Sequence, residues 1–177
     1  MEILANIVGI SAVILFALSF QCKTRRGIVF ANVCSRILYV LQYVLLFAFE
    51  GIVFDLIGAA ATFPAQKKEE GFVKKHKTPI LVLIFLSVAA AGVLMYRNIL
   101  SLMPVLGVTL ELIAVWSTRE KTIRIVSFFA QPFWLVYNVC NMAYGSAAGN
   151  VFTMVSILIA LCRFAGERKE VSHENSR

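Results

Sequence analysis

The chain has 177 residues, of which 59% are hydrophobic and 15% are charged. This balance excludes an ordinary soluble domain, which carries more charge and fewer large apolar side chains. The formal charge of +7 comes without any basic stretch that carries interleaved aromatic residues, so we expect no nucleic-acid partner.

Seven apolar segments follow one another along the chain. Each is close to the length that crosses a ~30 Å hydrocarbon layer as a helix, although the third is short. The pattern therefore predicts an all-α membrane protein with seven transmembrane helices. The predicted spans are Ile3–Phe20, Ile28–Phe49, Gly51–Ala65, Pro79–Tyr96, Ile99–Trp116, Thr122–Tyr144 and Ala147–Phe164.

The basic residues lie on one side of this arrangement. Of the 17 lysines and arginines, all except Arg36 and Arg97 lie near the ends of spans one, three, five and seven or in the segments that follow them. Cytoplasmic loops of membrane proteins carry such an excess of positive charge. We therefore expect an outer N-terminus, a cytoplasmic C-terminus and contacts with anionic lipids at the cytoplasmic surface.

The two parts of the chain match weakly at a shift of 95 residues. Tyr39 and Asp55 in spans two and three correspond to Trp134 and Asn150 in spans six and seven. Internal symmetry in a membrane protein indicates two bundles that enclose a site. We expect two parallel three-helix bundles joined by an inverting linker helix, in a 3+1+3 arrangement. The predicted units are residues 1–66 (first bundle), 67–98 (cytoplasmic loop and linker helix), 99–165 (second bundle) and 166–177 (a polar, disordered cytoplasmic tail).

The repeated positions supply the candidate substrate-binding residues. These are Tyr39, Asp55, Trp134 and Asn150, with Asn138 added because it lies one turn after Trp134 on the same helix face. The rings can stack on a ring-shaped solute, while the polar groups exchange hydrogen bonds with it. The alternatives are a solvated Asp55 at the outer rim, and rings that only pack helices or face lipid.

Arg36 and Glu111 are ionisable residues deep in spans two and five, where an isolated charge costs about 3 kcal/mol or more. Their depths are similar, so an ion pair or an inner gate would satisfy both charges. Arg36 pairing with Asp55, or reaching out to the lipid headgroups, is the alternative. Pro104 and Pro132 interrupt helix hydrogen bonding and are candidate hinges.

No residue pattern indicates a metal, a cofactor or an enzymatic activity. No metal-ligand or redox spacing separates the four cysteines, Cys22, Cys34, Cys140 and Cys162. We expect them to be buried and to pack as small hydrophobic residues. Neither histidine lies in a predicted span, so no serine or cysteine there has a nearby histidine base.

Four segments carry a resemblance to known sequences: MPVLGV (Met103–Val108), KTIRIVSFFAQPFWLVYN (Lys121–Asn138), YGSAAG (Tyr144–Gly149) and CRF (Cys162–Phe164). They resemble the bacterial YgjV-type inner-membrane protein family. The resemblance implies a multi-pass protein of the bacterial cytoplasmic (inner) membrane. The family is similar in turn to the SWEET/PQ-loop superfamily, which is built as three helices, a linker and three helices.

In SWEET-like proteins, W-x-x-Y on the second helix of a unit and N-x-x-G on the third line the sugar site. The segment Trp134–Tyr137 matches the first motif, and Asn150–Thr153 matches the second except at its last position. Asp55 stands where the first unit would carry asparagine. This departure points away from a neutral sugar and towards a cationic solute, a vitamin-like compound as in the related PnuC-type carriers, or proton coupling.

Together these features predict a transporter of a small polar solute that works by alternating access and is either facilitative or proton-coupled. The alternative is a non-transporting membrane protein that binds or interacts on the same fold. One chain already holds both bundles, so the predicted site does not require a dimer, and the oligomeric state stays open.

Overall fold

A computed structural model describes residues 2–46, 49–140 and 144–174, and this part of the chain is helical and contains no strand. Its helices are α1 (Glu2–Ser19), α2 (Arg25–Leu46), α3 (Phe49–Gln66), α4 (Gly71–Lys75), α5 (Lys77–Leu94), α6 (Leu102–Trp116), α7 (Glu120–Cys140) and α8 (Tyr144–Glu174). A short 3₁₀ turn, Ile99–Ser101, leads into α6. The ends of predicted spans two and six at residues 47–48 and 141–143 lie outside the described residues.

A helix lies at each of the seven predicted positions, and five segments of the described chain are long and apolar enough to cross a membrane. They are Arg25–Leu45, Lys77–Leu94, Ile99–Trp116, Glu120–Cys140 and Ser146–Phe164. The helix α1 contributes a shorter apolar stretch, Ile7–Ser19. The helix α3 has 18 residues but includes Glu50 and Asp55. By length and composition, five of the seven predicted spans are therefore able to cross a membrane.

Six of the helices pack in a cyclic order. The sequential pairs α1–α2, α2–α3, α6–α7 and α7–α8 are in contact, and the pairs α3–α6 and α1–α8 close the circle. The helix α5 packs against α3 and α6. The six helices therefore enclose a common interior, and α5 lies beside the α3–α6 contact.

Polar side chains lie inside this bundle, whereas many large apolar side chains lie outside. The buried polar group includes Arg36, Asp55, Glu111, Gln131 and Asn138, and the exposed apolar group includes Ile10, Phe30, Leu83, Leu86, Phe129 and Ile159. Intramembrane ionisable residues almost always face the interior of a bundle, since lipid offers them no partner. The pattern is that of a protein whose outer surface contacts hydrocarbon.

The loop before α6 is ordered by one asparagine. The Asn98 side chain accepts a hydrogen bond from the Leu100 backbone N–H at 2.9 Å, and the Ser101 hydroxyl accepts from the Asn98 N–H at 3.4 Å. This reciprocal capping satisfies N–H groups that no helical carbonyl reaches. Pro104 lies in the first turn of α6, where its missing N–H breaks no helix bond.

Pro132 lies in the interior of α7, where it has no N–H to donate to the preceding turn and therefore interrupts the helix hydrogen bonding. The hinge role stays a prediction for both prolines. It is better supported at Pro132, because only there does the proline lie in a helix interior.

Two expectations about local structure are wrong. The tail is not disordered throughout, because α8 continues through residue 166 and ends at Glu174; residues 175–177 lie outside the described chain. The cysteines are not buried: Cys22 and Cys34 are half-buried, and Cys140 and Cys162 are exposed. An apolar residue on a membrane helix is equally suited to lipid and to protein, so composition alone did not distinguish the two surroundings.

Candidate functional site

Arg36 is the centre of a buried ionic cluster. Its Nη1 donates to Asp55 Oδ1 at 3.0 Å, its Nη2 donates to Glu111 Oε2, and its Nε donates to Asn32 Oδ1 at 3.1 Å. The Arg36 side chain is only 2% exposed. The two pairings that the sequence left as alternatives thus occur together, because a guanidinium presents several donors in one plane.

A glycine on α3 provides the space for this guanidinium. A Cβ built on Gly58 would overlap Arg36 Nη1 and approach Cζ to 2.8 Å. At the equivalent position of the second half stands Thr153, which is buried. The residue equivalent to Arg36 is Gln131, whose side chain is shorter and needs less space. This accounts for the missing glycine at the end of the second N-x-x-G motif.

The second half continues the cluster with neutral amides. Gln131 Nε2 lies 3.5 Å from Glu111 Oε1, and Gln131 Oε1 accepts from Asn150 Nδ2 at 2.9 Å. Asn138 Nδ2 donates in turn to Asn150 Oδ1 at 2.8 Å. The polar groups thus form one continuous network from α2 through α3 and α6 to α7 and α8.

Aromatic rings lie around the network. The Tyr39 and Tyr43 rings are stacked with centroids 6.3 Å apart, and Trp134 meets Tyr137 edge to face at the same separation. The Trp134 indole packs against Gly107, where an added Cβ would come within 2.7 Å of Nε1. Trp134 Nε1 is buried and has no hydrogen-bond partner among the described residues. This N–H is therefore a donor available to an acceptor if Trp134 or its surroundings move.

A cavity of about 40 Å³ lies within this network. Each water molecule needs at least roughly 10–15 Å³ of such space, so the cavity has room for about three or four waters at most. Its lining comes from α1, α2, α3, α6, α7 and α8, and consists of Phe16, Arg36, Tyr39, Tyr43, Asp55, Glu111, Gln131, Trp134, Asn138, Ser146 and Asn150.

All five predicted substrate-binding residues line this one cavity, together with Arg36 and Glu111. Asp55 is buried rather than solvated at a rim. The prediction missed Gln131 and Phe16, although the shift of 95 residues relates Gln131 to Arg36 and Phe16 to Glu111. Applying the repeat to the ionisable residues would have found both positions.

Another polar contact lies beyond the cavity, near the start of α3. Tyr137 Oη donates to Glu50 Oε2 at 2.7 Å, and Glu50 Oε1 lies 3.7 Å from Arg97 Nε. The Arg97 side chain is 81% exposed, so its ion pair with Glu50 adds little stability. The Tyr137–Glu50 bond joins α7 to α3 across the bundle.

An apolar multi-helix bundle with a buried, charged central cavity defines a polytopic membrane protein with a candidate solute or ion site. The family model for a bacterial inner membrane protein, YgjV type, matches residues 3–168. The chain therefore belongs to this family of bacterial inner membrane proteins. No curated protein matches the chain significantly. No solved structure matches it significantly either.

Proposed function

We propose that the protein is a transporter of a small polar solute in the bacterial inner membrane, and that it works by alternating access. The observation that carries this proposal is the central cavity, which both sequence halves line and which contains the Arg36–Asp55–Glu111 cluster. A polar site at the interface of two repeats is the usual location of a transported solute. The basic loops favour a cytoplasmic C-terminus and an outer N-terminus.

The helix contacts support a 3+1+3 arrangement. Assigning α1–α3 to one half and α6–α8 to the other makes the α3–α6 contact equivalent to the α8–α1 contact. The two contacts are then related by a pseudo-two-fold axis through the cavity. The helix α5 is the linker, since it connects the halves in sequence and lies outside the circle. Parallel halves of this kind can rock against each other around a fixed site.

The cluster favours a solute or a coupling ion of positive charge. Two carboxylates, Asp55 and Glu111, face a single guanidinium, so the fully ionised group carries one negative charge in excess. An uncompensated charge in a membrane interior is costly, and a bound cation or a proton removes it. A cationic solute and a neutral solute moved with a proton both satisfy this requirement, and the transport assay below separates them.

The small cavity implies that the halves must move. Pockets for drug-sized ligands occupy about 300–1,000 Å³, far more than the 40 Å³ present between the halves. We therefore assign this conformation to a closed state between solute-loading states. The same observation favours the rival function, a non-transporting membrane protein in which the network is only a polar core. Among the described residues the cavity lining includes no histidine or cysteine, and we propose no enzymatic activity.

A ligand screen tests the existence of the site. The detergent-purified protein is heated with sugars, vitamins, amines and nucleosides, beside Trp134→Ala and Asp55→Ala. A compound that binds only the folded protein at 100 times its Kd stabilises it by about 2.7 kcal/mol. A shift that both variants lose supports the central site. Absence of any shift, with variants as stable as the parent, favours the non-transporting alternative.

Uptake into proteoliposomes then tests transport and coupling. We expect the stabilising compound to enter liposomes that contain the parent protein, and not those with Asp55→Ala. If a proton is coupled, Asp55→Asn abolishes the pH dependence of uptake; unchanged pH dependence in that variant removes Asp55 as the coupling group. A compound that binds but never crosses contradicts the transport function.

A further inference from the structure

Four cations at one end of the bundle bind the ends of α1 and α6. We call this the basic end; it comprises the C-terminal ends of α1, α3 and α6 and the N-terminal ends of α2 and α7. The last carbonyls of a helix have no partner within the helix and carry a partial negative charge. A cation from elsewhere in the fold is therefore a suitable partner for them.

The end of α1 is held by two arginines from the second half. Arg124 on α7 donates from Nε to the Phe20 carbonyl at 3.1 Å and from Nη2 to the Cys22 carbonyl at 2.7 Å. Arg163 on α8 donates from Nη2 to the intervening Gln21 carbonyl at 2.7 Å. Three successive carbonyls of one half are thus bound by the other half.

The end of α6 is held in the same way by the first half. Arg25 on α2 donates from Nε to the Ser117 carbonyl at 2.9 Å and from Nη2 to the Val115 carbonyl at 3.1 Å. Lys68, which follows α3, donates from Nζ to the Trp116 carbonyl. Lys68 is only 1% exposed despite its charge, so it is committed to this contact.

The two sets of contacts are related by the internal repeat. The carbonyls of residues 20, 21 and 22 correspond to those of 115, 116 and 117 at the shift of 95, and Lys68 corresponds to Arg163 at the same shift. The separation between Arg25 and Arg124 exceeds this shift by four residues. Four residues are about one helical turn, so the two arginines lie on equivalent helix faces. Cations of the second half therefore bind the end of α1, and cations of the first half bind the end of α6. We call these two equivalent sets of contacts the reciprocal clamps.

We propose that these reciprocal clamps are the gate at the basic end, closed in this structure and released when that end opens. Opening the cavity to this side separates α1 from α7 and α8, and α6 from α2 and α3, so every one of these contacts must break. Closing re-forms the contacts at the end of α1 and at the end of α6 together, because each half supplies both donors and acceptors. The gate rests on the proposed alternating access, but its test needs no solute.

Distance measurements between spin labels test the gate. Lys23 and Thr118 are exposed at the basic end, belong to different halves and are equivalent at the shift of 95. Both are replaced by cysteine in a protein whose native cysteines are alanine, then labelled and studied by pulsed electron resonance in liposomes. We expect a dominant short distance in this parent, and an added longer distance when Arg25→Gln and Arg124→Gln are introduced together.

Matched controls separate the clamp from general loss of basic charge. Arg26→Gln and Arg119→Gln remove exposed neighbours of the clamp and should leave the distances unchanged. Arg25→Lys with Arg124→Lys keeps the charge but cannot span two carbonyls, and should open the gate partly. This second pair also serves if the glutamine variant does not fold. Unchanged distances in every folded clamp variant overturn the gate.

The outcomes also separate the gate from the transport function. A longer distance in the clamp variants, without uptake of any stabilising compound by the parent, supports the gate and contradicts transport. Uptake by the parent together with unchanged distances in the clamp variants supports transport and overturns the gate.

Discussion

Arg36 and Gln131, which lie at equivalent positions of α2 and α7, both approach the carboxylate of Glu111. Arg36 binds Oε2, and Gln131 Nε2 lies 3.5 Å from Oε1. Each also binds the equivalent partner in its own half, Arg36 to Asp55 and Gln131 to Asn150. One half thus uses a charged pair where the other uses a neutral amide pair, and Glu111 joins the two.

The first prediction concerns the charge of this cluster. Arg36→Met leaves two buried carboxylates without their cation, and breaking a buried ion pair in this way costs about 3–5 kcal/mol. We expect a large fall in the thermal-unfolding temperature of the purified protein. Adding Asp55→Asn and Glu111→Gln to the same protein should restore most of the loss, because no unpaired charge remains.

Arg97→Met is the matched control for that substitution. Its side chain is 81% exposed and lies 3.7 Å from Glu50, so we expect a change of less than about 1 kcal/mol. A triple variant no more stable than Arg36→Met would contradict the assignment of the loss to unpaired charge.

The second prediction uses the close approach of Gly58 to Arg36. Gly58→Ala forces the guanidinium away from its carboxylates, and such overpacking costs about 1–3 kcal/mol. In an Arg36→Gln background, which places at this position the residue type that the second half carries at Gln131, the same substitution should be nearly neutral. A double-mutant cycle on thermal stability measures this coupling.

The control for Gly58 is Gly92→Ala on α5. Its added Cβ meets the apolar side chain of Val105, with Cγ2 at 3.1 Å, and not the guanidinium of Arg36, so the effect should be the same in both backgrounds. If Gly58→Ala destabilises the parent and the Arg36→Gln background equally, the guanidinium is not the group displaced.

The sequence predicts the position of a residue along a helix better than the direction in which its side chain points. The repeat placed Tyr39, Asp55, Trp134 and Asn150 at matching positions, and the structure brings all four to one cavity. Depth along a span gave similar heights for Arg36 and Glu111. It gave no rotation about the helix axis, so it did not show that one guanidinium reaches both Asp55 and Glu111.

The burial of apolar residues and the end of the last helix were harder to predict than the position of the cavity residues, for physical reasons. In water an apolar residue is expected inside, but in a bilayer both lipid and protein accept it, so the exposed Cys140 and Cys162 had no distinguishing signal. The polar composition after residue 166 is typical of disorder, yet the helix that precedes it continues to Glu174. Helix propagation adds residues more easily than nucleation begins them, which favours such an extension.

The third prediction assigns a binding role to Trp134. Trp134→Phe keeps an aromatic ring but removes the unpaired N–H and part of the stacking surface. With the compound that stabilises the parent, we expect Kd to rise at least about tenfold, equivalent to about 1.4 kcal/mol, with a small change in stability. Trp116→Phe is the matched control, because within the described part of the chain its Nε1 is also buried without a partner, but the ring does not line the cavity. An equal loss of affinity in both variants would contradict a specific role for Trp134.

The fourth prediction concerns pH and Lys68, which lies outside the membrane-spanning helices. Burial lowers the pKa of Lys68 from 10.5 to about 8. Between these two pH values the unfolded chain binds a proton that the folded protein does not, so the free energy of unfolding rises with pH. Below about pH 8 both states are protonated and the contribution of Lys68 is constant.

Replacing the amine tests this assignment. In Lys68→Met the rise in unfolding free energy between about pH 8 and 10.5 should diminish relative to the parent. Lys67→Met removes an exposed neighbouring amine and should retain the rise. Denaturant titrations at a series of pH values measure both slopes. If Lys68→Met keeps the full rise while Lys67→Met loses it, the buried amine at the end of α6 is not the group that titrates. The clamp would then have to be maintained by a lysine that stays charged throughout this range.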